Sequence, residues 1–276
     1  MKNTRSQKSK SAPSDGVVFK DLEDIEDHRT FAIYGRPGTG KTTFAGTFPK
    51  PIAYVDIRDQ GTTSLRGVKG VKVKQLEDIE ELEDILRHLR KHHRDYKTVV
   101  LDTVSQLQQM AIEELFDNRE LKKGKRPGDW GTMSMQDWGT VTAKLKRLII
   151  DFRDLADLGL NVVYLAQEKV SREEAEEKAG SGTVLATTVG PSVAGSVAEV
   201  LNGAVAVVGC TFNRVKTTTK EDKDGKKKKV TKVEFCMRLG PDPTYTTKVR
   251  KGKDVGVPSF IVNPTYEDLI AIIEGE

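Results

Sequence analysis

The sequence predicts an α/β fold: a mostly parallel central sheet flanked by helices. Three observations carry this. Short β-branched runs alternate with amphipathic stretches, the pattern of parallel strands joined by crossover helices. The apolar runs are near-continuous rather than alternating, as in strands covered on both faces. A glycine-rich loop stands directly between the first run and the stretch that follows it. With 276 residues and 37% hydrophobic content, the chain suffices for one such domain over residues 17–276, without a second full domain.

Residues 1–16 are rich in Lys, Ser and Asn and nearly devoid of large apolar groups. Burial there cannot offset the entropy of ordering, so a disordered basic arm is expected, either a solvated tail or a DNA-binding one. The first strand is Thr30–Tyr34. After it, Gly35-Arg36-Pro37-Gly38-Thr39-Gly40-Lys41-Thr42-Thr43 matches G-x-x-x-x-G-K-[ST] position for position. Glycines at those places let successive backbone N–H groups point at an anion, and a helix beginning near Lys41 adds its positive end. Lys41 is then placed to reach the β/γ-phosphates and the Thr42 hydroxyl to ligand Mg²⁺. ATP and Mg²⁺ are the expected ligands, held by residues 35–43.

Ile52–Asp56 is the second strand. A core-packing helix follows at Leu76–His93, where Leu76, Ile79, Leu82, Ile85, Leu86 and Leu89 form one apolar face. His88 and His92 lie one turn apart but lack the other ligands of a zinc site, and read as a solvated helix end. Thr98–Asp102 is an apolar strand ending in an acid, which makes Asp102 the expected second magnesium-site residue opposite Thr42. A long helix is expected over Gln136–Leu158, then the strand Asn161–Ala166. That strand ends at Gln167, whose amide can sense a γ-phosphate by hydrogen bonding.

A short helix near Val193–Leu201 leads to a strand at Ala204–Val208. Beyond it, Cys210–Thr219 and Val230–Leu239 flank Asp224-Gly225, a strong turn signal, and predict a β-hairpin over 209–240 with a lysine-rich tip. Cys210 and Cys236 have neither metal nor redox spacing. With no secretory leader and no apolar run of membrane-span length, they read as core thiols of a soluble cytoplasmic protein without a membrane partner. The formal charge of +4 is too mild to imply nucleic acid by itself, so the placement of the lysines decides.

In this order of motifs the chain resembles the RecA-like P-loop ATPases, and among them the compact phage-encoded members linked to single-strand annealing and recombination. The resemblance covers Thr30 to Gly275. It rests on the phosphate loop, Asp102-Thr103 after an apolar strand, Gln167 after another, and a Gly/Thr-rich segment. It implies magnesium-dependent ATP hydrolysis by a homo-oligomer, ring or filament, acting on single-stranded DNA in the host cytoplasm, with a single-strand-binding protein as a further candidate partner.

The same resemblance implies two mobile DNA-binding loops, at Glu120–Gln136 and Glu168–Gly190. The first holds Lys122, Lys123, Lys125, Arg126 and Trp130, a mixture suited to phosphate contact and base stacking. The second opens on the net-acidic Arg172–Lys178, so the first is the expected DNA site. Relatives place a catalytic Glu after the second strand where this chain has Arg58; Asp56 or Asp59 is the expected base instead. Lys248 and Arg250, on one side of a late strand, are either cations reaching a neighbouring subunit's γ-phosphate or a basic strand edge. The loop also looks like that of AAA+ ATPases, whose corresponding strand closes in Asp-Glu, and Thr103 argues against that class. Two alternatives are a nucleotide-gated DNA-binding scaffold with negligible hydrolysis, which Arg58 favours, and an AAA-type motor or helicase loader.

Overall fold

The structure is a computed structural model that describes residues 29–58, 60–123, 133–175, 184–221 and 227–275. These form the strands β1 (Thr30–Gly35), β2 (Ile52–Asp56), β3 (Val71–Gln75), β4 (Thr98–Asp102), β5 (Asn161–Ala175), β6 (Val184–Pro191), β7 (Val207–Glu221), β8 (Lys227–Arg238), β9 (Lys248–Val249) and β10 (Phe260–Val262). The helices are α1 (Lys41–Ala45), α2 (Glu81–Lys91), α3 (Val104–Lys123), α4 (Met135–Arg153), α5 (Gly195–Ala204) and α6 (Tyr266–Glu274). One sheet runs β10-β8-β7-β1-β5-β4-β2-β3, with β6 paired to β5 and β9 to β7. From β7 to β3 every pairing is parallel; β8, β10, β6 and β9 add antiparallel partners.

Successive residues of the central strands serve opposite faces, as the period of two requires. Phe31, Ile33, Ile52, Tyr54, Val163 and Leu165 pack with Phe44 and Phe48 and with Tyr266 and Leu269 of α6. Ala32, Tyr34, Val55, Leu101, Val162 and Tyr164 pack on the other face with apolar residues of α2, α3, α4 and α5. A sheet covered on both sides explains the near-continuous apolar runs.

The mostly parallel sheet flanked by helices is the fold the sequence predicts, with corrections in detail. Ala204 ends α5, and the strand expected from it begins at Val207. The stretch expected as a mobile loop from Glu168 to Gly190 is largely a ribbon, Glu168–Ala175 paired in register with Val184–Pro191. Its Val and Thr residues are good strand formers, and that preference outweighs the flexibility suggested by the neighbouring glycines. The loop expected from Glu120 begins later, because α3 continues through Lys122 and Lys123. Apolar residues at 104, 107, 110 and 111 carry helical spacing and bury one side of α3, a signal that would have located this helix. β3 also escaped prediction: its Val71 and Val73 alternate with lysines on a short sheet edge. The basic arm, Asp59, Lys125, Arg126 and Trp130 lie outside the described residues.

Candidate functional site

All parallel strands point their carboxyl ends the same way, and in open α/β sheets ligands bind in the crevice beyond those ends. There β1 ends at Gly35, beside Gln167 of β5 on one side and Thr211 of β7 on the other. A Cβ on Gly35 would lie 2.3 Å from the Thr211 hydroxyl oxygen and 2.5 Å from its carbonyl oxygen, so no larger residue fits. Gly38 (φ 75°) and Gly40 (φ 89°) take left-handed conformations that turn the loop back into α1. The Thr39 hydroxyl donates to the Arg36 carbonyl at 2.7 Å and bonds the Thr211 hydroxyl at 2.7 Å, while the Asn213 amide donates to the Gly38 carbonyl at 3.2 Å. Lys41 is only 6% exposed. Its ammonium donates to the carbonyls of Gly35 and Arg36, each at 2.9 Å, which holds the charge at the loop.

On the β5 side stand the acids. Asp56 ends β2 and Asp102 ends β4, and the two are register partners. Both are buried. Asp102 accepts from the Thr42 hydroxyl at 3.0 Å and, on the same carboxylate oxygen, from the Tyr54 phenol. Burial, reinforced by the negative charge of Asp102, pushes the Tyr54 phenol far up, so it stays a proton donor. Asp56 accepts from the Gln60 backbone N–H at 3.1 Å. A hydroxyl and a carboxylate brought together beside a phosphate loop form a hard, all-oxygen donor set, which fits Mg²⁺. Thr103 is fully buried, and its hydroxyl accepts from the Gln106 N–H at 3.3 Å, capping the first turn of α3. Arg58, in a left-handed conformation, pairs with Glu113 of α3.

Gln167 lies between these groups and the loop. Its N–H donates to the Ser105 hydroxyl at 3.0 Å and its carbonyl accepts from Ser192 N–H at 2.7 Å. The next residue, Glu168, forms an ion pair with Arg36 of the loop at 2.6 Å. In the sequence Glu168 opens the expected second loop; the parallel register of β1 and β5 is what brings it to the phosphate loop.

The other expected residues are placed elsewhere. Lys248 and Arg250 sit at the opposite end of the sheet, where Lys248 pairs with Val208 near the start of β7. The Lys248 ammonium donates to the carbonyls of Asn202 (2.7 Å), Gly203 (3.2 Å) and Val205 (2.8 Å), and Arg250 to Gly203 (2.8 Å). Within one chain they cap the C-terminal end of α5 and do not meet the phosphate loop. His88 and His92 stack on each other at 4.6 Å. Cys210 and Cys236 are buried and free, and burial pushes the Cys210 thiol up to about 11. No helix among the described residues is long and apolar enough to cross a membrane.

A family model described as an AAA domain matches residues 27–250. None of the curated proteins compared with the chain matches it. The matched span includes the phosphate loop, Asp102 and Gln167, and also Thr103. Its helix-capping hydroxyl is the structural role found for that position.

Proposed function

Because this chain belongs to the AAA-domain family, a family of nucleotide-hydrolysing domains, we propose that it is an ATPase whose nucleotide state gates single-stranded-DNA binding in a homo-oligomer. In this reading the loop N–H groups and Lys41 hold the β/γ-phosphates, and Thr42 and Asp102 hold Mg²⁺. The metal ion, when bound, neutralises charge developing on the transferred phosphoryl group. Tyr54 fixes the Asp102 carboxylate by donating to it. Asp56 is the buried acid nearest in the sheet to Asp102, and it takes the proton of the attacking water. Arg58 cannot do so, since a guanidinium accepts no proton at neutral pH.

One observation carries the gating. Gly35 and Gln167 are register partners, the Arg36–Glu168 ion pair joins the loop to β5, and β5 continues into the ribbon with β6. An amide and a carboxylate that respond to the γ-phosphate therefore move the root of a surface ribbon at the nucleotide end of the sheet. DNA is taken by this ribbon and by the basic segment with Lys122, Lys123, Lys125, Arg126 and Trp130. In the oligomer, Lys248 and Arg250 either cap α5 alone or also face a neighbouring nucleotide.

The test compares oligo-dT binding with a slowly hydrolysed ATP analogue, with ADP and with no nucleotide. The reading expects tight binding only with the analogue. Glu168→Gln is expected to lose most of that difference while keeping ATP affinity. Equal DNA binding in all three states contradicts the gating. A nucleotide-gated scaffold, by contrast, shows the same gating without DNA-stimulated phosphate release.

A further inference from the structure

On the β7 side of the phosphate loop, away from Asp56 and Asp102, lies a cavity of about 250 Å³. It is walled by Gly40 and Thr43 of the loop and α1, by Phe235 of β8, and by Asn263 and Pro264 between β10 and α6. We infer that this cavity is the nucleobase subsite, that Phe235 is its stacking platform, and that Asn263 selects adenine over guanine. The inference rests on the nucleotide-binding reading of the loop and deepens it.

Position comes first. A nucleoside triphosphate is polar from end to end: metal and γ-phosphate at one end, base at the other. The oxygen donors Thr42 and Asp102 and the sensor-placed Gln167 lie on the β5 side of β1, so the phosphate chain enters with its γ-end there. The base then leaves toward β7 and β8, where the cavity adjoins the loop directly. Phe235 stands against this junction: a Cβ on Gly40 would be 3.2 Å from its ring. The ring is 44% exposed although it is large and aromatic, and an aromatic face beside a phosphate loop is what a base stacks on.

Chemistry comes second. Most hydroxyls in the wall are committed within the protein. Thr39 and Thr211 bond each other, Thr47 donates to the Phe44 carbonyl and accepts from Tyr266 N–H, and Thr265 caps α6. The Asn263 carboxamide makes no side-chain hydrogen bond among the described residues, yet its backbone is pinned: its N–H donates to the Phe235 carbonyl at 2.6 Å, and its φ of 49° is a conformation Asn tolerates. That bond ties the platform and the amide into one unit. A carboxamide can accept from the adenine exocyclic amine while donating to N7; guanine presents an acceptor in place of that amine, so the amide oxygen faces another lone pair.

The experiment measures binding of ATP, GTP and inorganic triphosphate to the full chain with Mg²⁺, for wild type, Asn263→Gly and Phe235→Ala, with thermal melts of each. Glycine accepts the left-handed backbone, so Asn263→Gly isolates the amide. The wild type is expected to prefer ATP to GTP, and Asn263→Gly to shrink that preference about ten-fold. Phe235→Ala is expected to weaken both nucleotides about ten-fold while leaving inorganic triphosphate unchanged. An unaltered ATP/GTP ratio in Asn263→Gly together with unaltered nucleotide affinity in Phe235→Ala, in a wild type that binds ATP, overturns the inference alone. A wild type that binds neither nucleotide nor triphosphate overturns the nucleotide-binding reading beneath it.

Discussion

Lys41 is the side chain on which the proposed phosphate contact turns. A buried ammonium is costly unless hydrogen-bonded, and here the carbonyls of Gly35 and Arg36 accept from it. Lys41→Ala is expected to weaken ATP binding by about ten-fold or more and to leave the fold intact, since the side chain belongs to neither apolar cluster. An ATP titration read beside a circular dichroism melt checks both halves. Asp56 makes the complementary prediction. If it takes the proton from water, Asp56→Asn lowers turnover about 10²-fold or more with little change in ATP affinity. Normal turnover in that variant would move the role to Asp59, the other expected base, or to Glu168, whose carboxylate pairs with Arg36 of the loop.

At the scale of elements, the same basic pair can be read two ways from sequence and the structure describes one of them. Lys248 satisfies three carbonyls at the end of α5, groups that a helix terminus leaves without intrahelical partners. A cation there also complements the negative end of the helix. Lys248→Met is expected to cost about 1–2 kcal/mol and lower the melting temperature by a few degrees, with ATP affinity unchanged. Thermal melts and ATP titrations of the variant measure this. If Arg250 also works in trans, mixing Arg250→Ala with Lys41→Ala protein restores activity that each lacks alone.

The strands β1, β2 and β4, the loop, and Asp102 were legible because the chemistry ties particular residue types to strand ends. Strand neighbours were not legible. That β5 runs between β1 and β4, bringing Glu168 to Arg36, follows from pairings 132 residues apart with β1 and 63 apart with β4, which local pattern does not encode. The β5–β6 ribbon was hidden for a related reason: its two halves support each other only once paired. The cavity was invisible for the same cause, since Gly40, Phe235 and Asn263 meet only in the folded sheet.

Taken whole, the molecule has two ends. At the carboxyl ends of its parallel strands lie the phosphate loop, the paired acids and the roots of two ribbons, β5–β6 and β7–β8; at the other lie the cap on α5 and the basic pair. Asn213 of β7 bonds the Gly38 carbonyl and Glu168 of β5 bonds Arg36, so both ribbons hold the loop from opposite sides. In the proposed function, a change at the phosphates reaches both. The proposed function is ATP hydrolysis that responds to DNA. The most direct measurement is phosphate release from ATP and Mg²⁺, with and without oligo-dT, by wild type and by Asp102→Asn. The account predicts release that oligo-dT raises in the wild type, and that falls about 10²-fold or more in Asp102→Asn. Equal release by the two proteins, or wild-type release that oligo-dT leaves unchanged, would contradict it.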